Sequence, residues 1–324
     1  MVIKSDHRVV ASLTTIPYRY NLLEQCIKSL LNQTYKLSCI YITVPLKSAR
    51  YNIDYPPLPK FILDHELCKI ITPPIDYGPL CKIYGALYEE QNDDTLILYC
   101  DDDTILQNTH VEYMIKNYLL FPNKVICGTG SIIANGNSWF NGLNIHFNIT
   151  SYIDLRKLIG LKNGSNVDIP YGVGTVLCSR KLYPTIDNLY DELFKYSMLD
   201  INLFKNDDIV IAAYFNSKKI KCKVFNNIPL VIIKHSNYSL YTDNSTVTFN
   251  NSIKLFKSMG FFKTTEPMPS YSSLIFYIVI YLIFLYIFIL ILIYLVNNTT
   301  LHQNLTLYYK QWGFLPPFGS NINV

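Results

Sequence analysis

Two rhythms of apolar and polar residues share the first hundred positions of the chain. Residues 8–16 (RVVASLTTI) are an apolar run stopped by Pro17, the pattern of a buried strand. Over 21–33, Leu22, Leu23, Cys26, Ile27, Leu30 and Leu31 recur at the spacing of one helix face. Residues 39–44 (CIYITV) predict a second strand closed by Pro45, the proline-rich 55–59 a loop, and 68–72 (CKIIT) a short third strand. Gly78-Pro79 opens a helix that runs through Glu90, and 95–100 (TLILYC) predicts a fourth strand. Strands alternating with helices imply an α/β fold, with a mostly parallel central sheet covered by helices on both faces. In open sheets of this kind ligands sit beyond the carboxyl ends of the strands. The residues just after Cys100 therefore occupy the expected ligand position.

Further on, the rhythm gives way to one continuous apolar segment. Residues 274–296 (LIFYIVIYLIFLYIFILILIYLV) contain 23 positions without a charge. As a helix they span about 34 Å, enough for a hydrocarbon core of about 30 Å. The segment lacks the polar face of an ordinary core helix, and its tyrosines suit membrane interfaces. The expected organisation is a folded domain over 1–265, a linker at 266–273, a transmembrane helix at 274–296 and a short tail at 297–324. Lys254, Lys257 and Lys263 precede the span and only Lys310 follows it closely, which favours a single-pass membrane protein with its large domain on the cytosolic side.

Composition supports this division. Hydrophobic residues are 50% of the chain and charged residues 16%, below the quarter usual in soluble domains, and the apolar segment accounts for the difference. A net charge of +4 without a basic stripe gives no reason to expect a nucleic-acid partner. The opening MVIKSDHRVV has no apolar core of the signal-peptide kind. None of the eight cysteines forms a CxxC pair and most lie in apolar runs, which suits buried free thiols, although an even count also permits disulfides.

Chemistry enters with Asp101, Asp102 and Asp103, which follow the fourth apolar run. Three adjacent carboxylates repel one another, and some would protonate unless a cation sat among them. Mg²⁺ is commonly bound by one or two carboxylates plus substrate phosphates, and Mn²⁺ favours the same oxygen ligands. Continued strand alternation would turn Asp101 and Asp103 to one face as partners in a metal site. The ordinary alternative is a solvated acidic turn capping the next helix.

An apolar strand followed by DxD, in a chain that opens strand–helix–strand, resembles the GT-A glycosyltransferases. The opening SLTTIPYRYNLLEQCIKSLLNQTY resembles their nucleotide-binding start, and DDDTIL resembles the DDD segment of the Fringe and β-1,3-galactosyltransferase group. Where many family-2 members end the second strand in a D-D pair, this chain has Val44-Pro45. The resemblance covers about residues 8–235. It implies a GT-A fold and a UDP- or GDP-sugar donor contacted by Thr14, Pro17, Arg19, Lys82, Asp101 and Asp102. It also implies Mn²⁺ or Mg²⁺ on Asp101 and Asp103. For Arg19 and Lys82 the plainer alternative is a solvated surface cation.

Three downstream strings extend the likeness. PYGVGTVLCSR (170–180) resembles the glycine segment lining the acceptor side of Fringe-like enzymes; a plain glycine turn before a strand is the alternative. NDDIVIAAY (206–214) places Asp207 and Asp208 at the start of an apolar helix with Ile209, Ile211, Ala212 and Phe215 on its buried side. Acids there need no chemistry, because the helix dipole stabilises them. The string also resembles the ED-V segment of inverting GT-A enzymes, which maps the catalytic base onto Asp208 with Asp207 a close rival. His235, after the apolar run of LVIIKHS, matches the histidine that completes the metal shell in many relatives of that fold, against the alternative of a structural histidine.

The implied reaction is divalent-metal-dependent transfer of a sugar from a nucleotide-diphospho-sugar to a hydroxyl of a glycan, protein or lipid, with inversion. Two other readings compete. A nucleotidyltransferase of sugar phosphates would normally carry a glycine-rich basic loop after the first strand, and LTTIPYRY has no glycine. An inactive membrane-anchored sugar-binding protein would have lost the acids, which are intact.

Overall fold

The computed structural model describes residues 7–134, 138–140, 163–225, 231–232, 245–265 and 279–295, and the statements below concern these residues. The chain divides into two units, Met1–Met268 and Pro269–Val324. The first is built on an eight-stranded sheet.

Its strands are β1 (Val9–Thr14), β2 (Cys39–Thr43), β3 (Cys68–Ile71), β4 (Leu96–Tyr99), β5 (Val125–Cys127), β6 (Ser165–Val167), β7 (Val176–Ser179) and β8 (Cys222–Val224). They lie in the order β6-β8-β5-β7-β4-β1-β2-β3. Pairings among β1, β2, β3 and β4 are parallel, as is β8 with β5. The sheet is mixed: β7 runs antiparallel to both β4 and β5, and β6 is antiparallel to β8. From β1 the chain steps outward through β2 to β3, then returns to place β4 on the other edge of β1. The strand order thus reverses between β1 and β4, where an open α/β sheet leaves a crevice at its carboxyl edge.

Alternation along the strands divides the core between the two faces. Val10, Tyr41, Ile97, Tyr99 and Val176 point to one side, and Val9, Ala11, Ile40, Leu96, Leu98 and Leu177 to the other. Helix α1 (Tyr20–Leu31) and helix α3 (His110–Leu120) cover the second face, contributing Leu23, Cys26, Ile27, Val111, Met114 and Ile115. Helices α2 (Cys81–Glu89) and α4 (Asp207–Ser217) join the core of the first, and α5 (Ser245–Ser258) packs against α4. The elements expected within the first hundred residues appear with ends shifted by no more than three residues.

Helix α2 is seated deeply. Gly78, at φ +65°, starts its preceding turn and donates its N–H to Asp76 Oδ1 at 2.7 Å. Arg180 closes the far end by donating to the carbonyls of Leu87 (3.2 Å) and Glu90 (2.8 Å). Midway, Gly85 donates its N–H to Thr43 Oγ1 at 3.0 Å, and a Cβ on Gly85 would come within 2.8 Å of that oxygen.

Helix α4 departs from the sequence expectation of one buried side. All residues from Ile209 to Phe215 are buried, because α4 packs on α5 and on the short segments Gly78–Leu80, Tyr190–Phe194 and Ile201–Lys205 as well as on the sheet side. All eight cysteines are free, and six are buried.

In the second unit the described residues 279–295 are helical, and every side chain from Tyr281 to Leu295 is at least 41% exposed. Among the described residues no helix is long and apolar enough to cross a membrane. The described part of this helix measures about 25 Å. Both ends of the expected span, residues 274–278 and 296, lie outside the described residues.

Candidate active site

The carboxyl ends of β1 and β4 meet at the reversal of strand order. Beyond β1, Thr14 and Thr15 face different ways. Thr14 Oγ1 donates to the Thr43 carbonyl at 2.7 Å and fastens β1 to β2. Thr15 Oγ1 donates to Asp102 Oδ2 at 2.6 Å. The threonine that touches the acids is therefore Thr15, while Thr14, expected as a donor contact, is bonded to β2. Pro17 begins a short 3-10 turn (Pro17–Arg19) that presents Arg19. Its fixed φ and missing N–H suit the first position of such a turn.

Beyond β4 the backbone turns at Asp102 and Asp103 before the two-residue strand Thr104–Ile105. Strand alternation consequently does not govern where the three acids point. Asp102 is the buried one, while the side chains of Asp101 and Asp103 keep 30% and 20% of their surface exposed. Arg19 holds two of them: Nη1 lies 3.1 Å from Asp102 Oδ1, and Nη2 binds Asp103. Burial lifts the Asp102 carboxyl to about 7 against the opposing pull of Arg19 and Thr15. Burial also raises Asp103, with Arg19 again opposing.

Lys82, from the first turn of α2, serves the other acids. Its side chain is only 4% exposed, its Nζ binds Asp101 Oδ1 and it lies 2.8 Å from Asp207 Oδ2. Burial would strip the proton from this ammonium, but Asp101, Asp207 and Asp208 hold its pKa well above the usual lysine value. Its partner Asp207 Oδ2 is buried and has no hydrogen-bond donor aligned on it among the described residues. Burial raises Asp207, and Lys82 opposes. Asp208 is raised well above the carboxylate range by burial and by its neighbour Asp207. Its Oδ1 accepts the Gly172 N–H at 3.0 Å. A Cβ on Gly172 would stand 2.6 Å from Lys82 Nζ and 3.1 Å from Asp101 Oδ1, so a larger residue here would displace the ends of those side chains.

The structure thus brings together Arg19, Lys82, Asp101, Asp102, Asp103, Asp207 and Asp208 from four separated stretches of sequence. Both basic residues, for which solvated surface cations were the alternative, are ion-paired. His235 lies outside the described residues. The preceding strand Val231–Ile232 pairs antiparallel with Thr104–Ile105, directly after the acidic turn. Among the described residues, no group of three or more His, Cys, Asp or Glu side chains is arranged to hold a metal ion. Asp101 and Asp103 are the acids of the turn that keep exposed side-chain surface, each already paired with a cation, Lys82 and Arg19 respectively.

Sequence reasoning missed Thr15 and the buried pair His110–Thr175 behind the glycine turn, where His110 Nε2 lies 2.7 Å from Thr175 Oγ1. A threonine next to Thr14 and a lone histidine carry no pattern that would have found them. No family model and no curated protein matches this chain.

Proposed function

We propose that the chain is a GT-A-type glycosyltransferase that moves a sugar from a UDP- or GDP-sugar to a hydroxyl of a glycan, protein or lipid. One observation carries the reading. Aspartates from the end of β4 and from the start of α4 converge with Arg19 and Lys82 at the carboxyl edge, where the strand order reverses. Five carboxylates and two cations in one crevice are suited to a substrate carrying its own negative charge and divalent cation.

Mg²⁺ or Mn²⁺, held by Asp101 and Asp103 with His235 as a further ligand, would supply Lewis-acid stabilisation of the leaving diphosphate. The pairing of Ile232 with Thr104 supports His235, since it brings the chain three residues before that histidine beside the acidic turn. Arg19 presents a planar guanidinium suited to diphosphate oxygens. Asp208 is the base: it takes the acceptor hydroxyl proton as the acceptor oxygen bonds to the anomeric carbon and the carbon–diphosphate bond breaks, with inversion. Asp208 suits this better than Asp207, which is engaged with Lys82 and is the more buried of the two. Burial and Asp207 raise the Asp208 pKa, which makes its ionised form a stronger base.

The apolar residues 274–296 make the chain a single-pass membrane protein in this reading, with the first unit on the cytosolic side. The exposed apolar surface of residues 281–295 supports a lipid neighbour.

A transfer and donor-hydrolysis assay across common nucleotide sugars, with and without chelator, tests the proposal. Asp101→Ala and Asp103→Ala should each abolish metal-dependent turnover. Full transfer after chelation would overturn the metal role, and no turnover of any donor would overturn the reaction.

A further inference from the structure

Thr175 is a buried, β-branched residue at φ +64° and ψ 148°, a conformation open almost only to glycine. It joins the turn Gly172–Gly174 to β7. Such backbone persists only where its surroundings over-determine it, and here they do. Thr175 N–H donates to the Gly172 carbonyl at 2.9 Å, and the Thr175 carbonyl accepts from Gly128 N–H at 3.0 Å. Gly128 and Gly174 approach so closely that a Cβ on Gly128 would sit 2.0 Å from the Gly174 carbonyl oxygen.

The remaining hold on Thr175 is its side chain. Oγ1 meets His110 Nε2 at 2.7 Å in a buried contact, at the first residue of α3. Burial drops the His110 pKa to about 4, so the ring is neutral at physiological pH. Its Nδ1 has no partner among the described residues, which leaves Thr175 as its one described polar contact. A lone buried imidazole bonded to a strained threonine is costly to keep for packing alone.

Resting on the reading of Asp208 as base, the geometry points to His110 as a positioning residue. Through Thr175 it fixes the Gly172–Gly174 turn, so that Gly172 N–H is held on the Asp208 carboxylate and the turn leaves room for Lys82. His110 itself touches no reacting atom.

The test measures amide exchange at Gly172 and Thr175 alongside sugar transfer, using the full chain. His110→Ala and Thr175→Val should speed exchange at both amides about tenfold, the effect of losing one such bond. His110→Gln, which can set a nitrogen near the place of Nε2, and Thr175→Ser should restore protection. In the transfer assay kcat should fall about tenfold in the unprotected variants while the donor KM stays near wild type, the mark of a group set for the transition state. Thr175→Val keeps the side-chain shape and carries the test should His110→Ala fail to fold. Unchanged exchange at Gly172 in Thr175→Val overturns the proposal, as does failure of His110→Gln to restore what a folded His110→Ala loses. Absence of transfer from every form, wild type included, removes the glycosyltransferase reading and leaves the exchange result to decide this one.

Discussion

Arg19 and Lys82 each neutralise two aspartates, yet their surroundings differ. Arg19 reaches from a short turn after β1 to Asp102 and Asp103, and Asp103 keeps contact with solvent. Lys82 stands on a packed helix and is itself buried, between the partly exposed Asp101 and the buried Asp207, beside Asp208. The first arrangement can exchange a protein carboxylate for a ligand phosphate at modest cost, because water is at hand. The Lys82–Asp207 pair cannot, because Asp207 without Lys82 is left charged in a buried setting. One half of the crevice is therefore suited to binding and the other to holding shape.

Breaking the closed half should have the largest effect. Lys82→Met leaves Asp101 and Asp207 without their cation and should lower stability by about 3–5 kcal/mol, read by chemical denaturation. A loss below 1 kcal/mol would mean that the two halves are equivalent. Asp208→Asn comes next, acting on chemistry rather than on the fold. Loss of a general base should lower kcat about 10²–10⁴-fold with little change in melting temperature, whereas Asp207→Asn should disturb both. The open half should respond less: Arg19→Ala should cost about 1.5–3 kcal/mol and weaken donor binding. Equal losses for Arg19→Ala and Lys82→Met would erase the distinction.

Protonation sharpens the contrast further. Asp102 has a folded-state pKa of about 7 against an ordinary value of 3.8, so the folded chain binds more protons in between. Its contribution to stability is present below pH 4 and is lost as the pH rises through about 7. Its slope is at most about 1.4 kcal/mol per pH unit. Asp102→Asn should flatten that part of a melting-temperature profile recorded without divalent cations. The smallest effect falls on the threonines. Thr15→Val removes a bond that holds the Asp102 pKa down and should raise it, while Thr14→Val should leave it in place; carboxyl titration by NMR separates the two.

The alternation of apolar runs with proline and glycine breaks made the first four strands and two of the helices legible, because each short run is closed by a residue that cannot continue it. The acidic turn was legible for the same reason. Which acid would be buried was not, since Asp102 and Asp103 leave the strand path that the two-residue alternation assumes. Arg19 and Lys82 were visible as charges, but their burial depends on how deeply the turn and the helix are packed, a property of distant residues. That Thr15 bonds an acid while Thr14 bonds β2 depends on where β1 ends, a matter of one residue. The full burial of α4 reflects neighbours drawn from three other segments. The antiparallel course of β7 between β4 and β5 is a pairing that no local pattern records.

The missing methyl group of Gly85 has a consequence for charge as well as for packing. Lys82 lies one turn earlier on the same helix, so the spacing between that helix and β2 sets how far the ammonium projects toward the crevice. An alanine at 85 would act as a shim under the helix. The lift would be a few tenths of an ångström or more, delivered at a distance to the cation that Asp101 and Asp207 share. Electrostatics at the mouth of the sheet is thus gauged by an uncharged residue that never touches it.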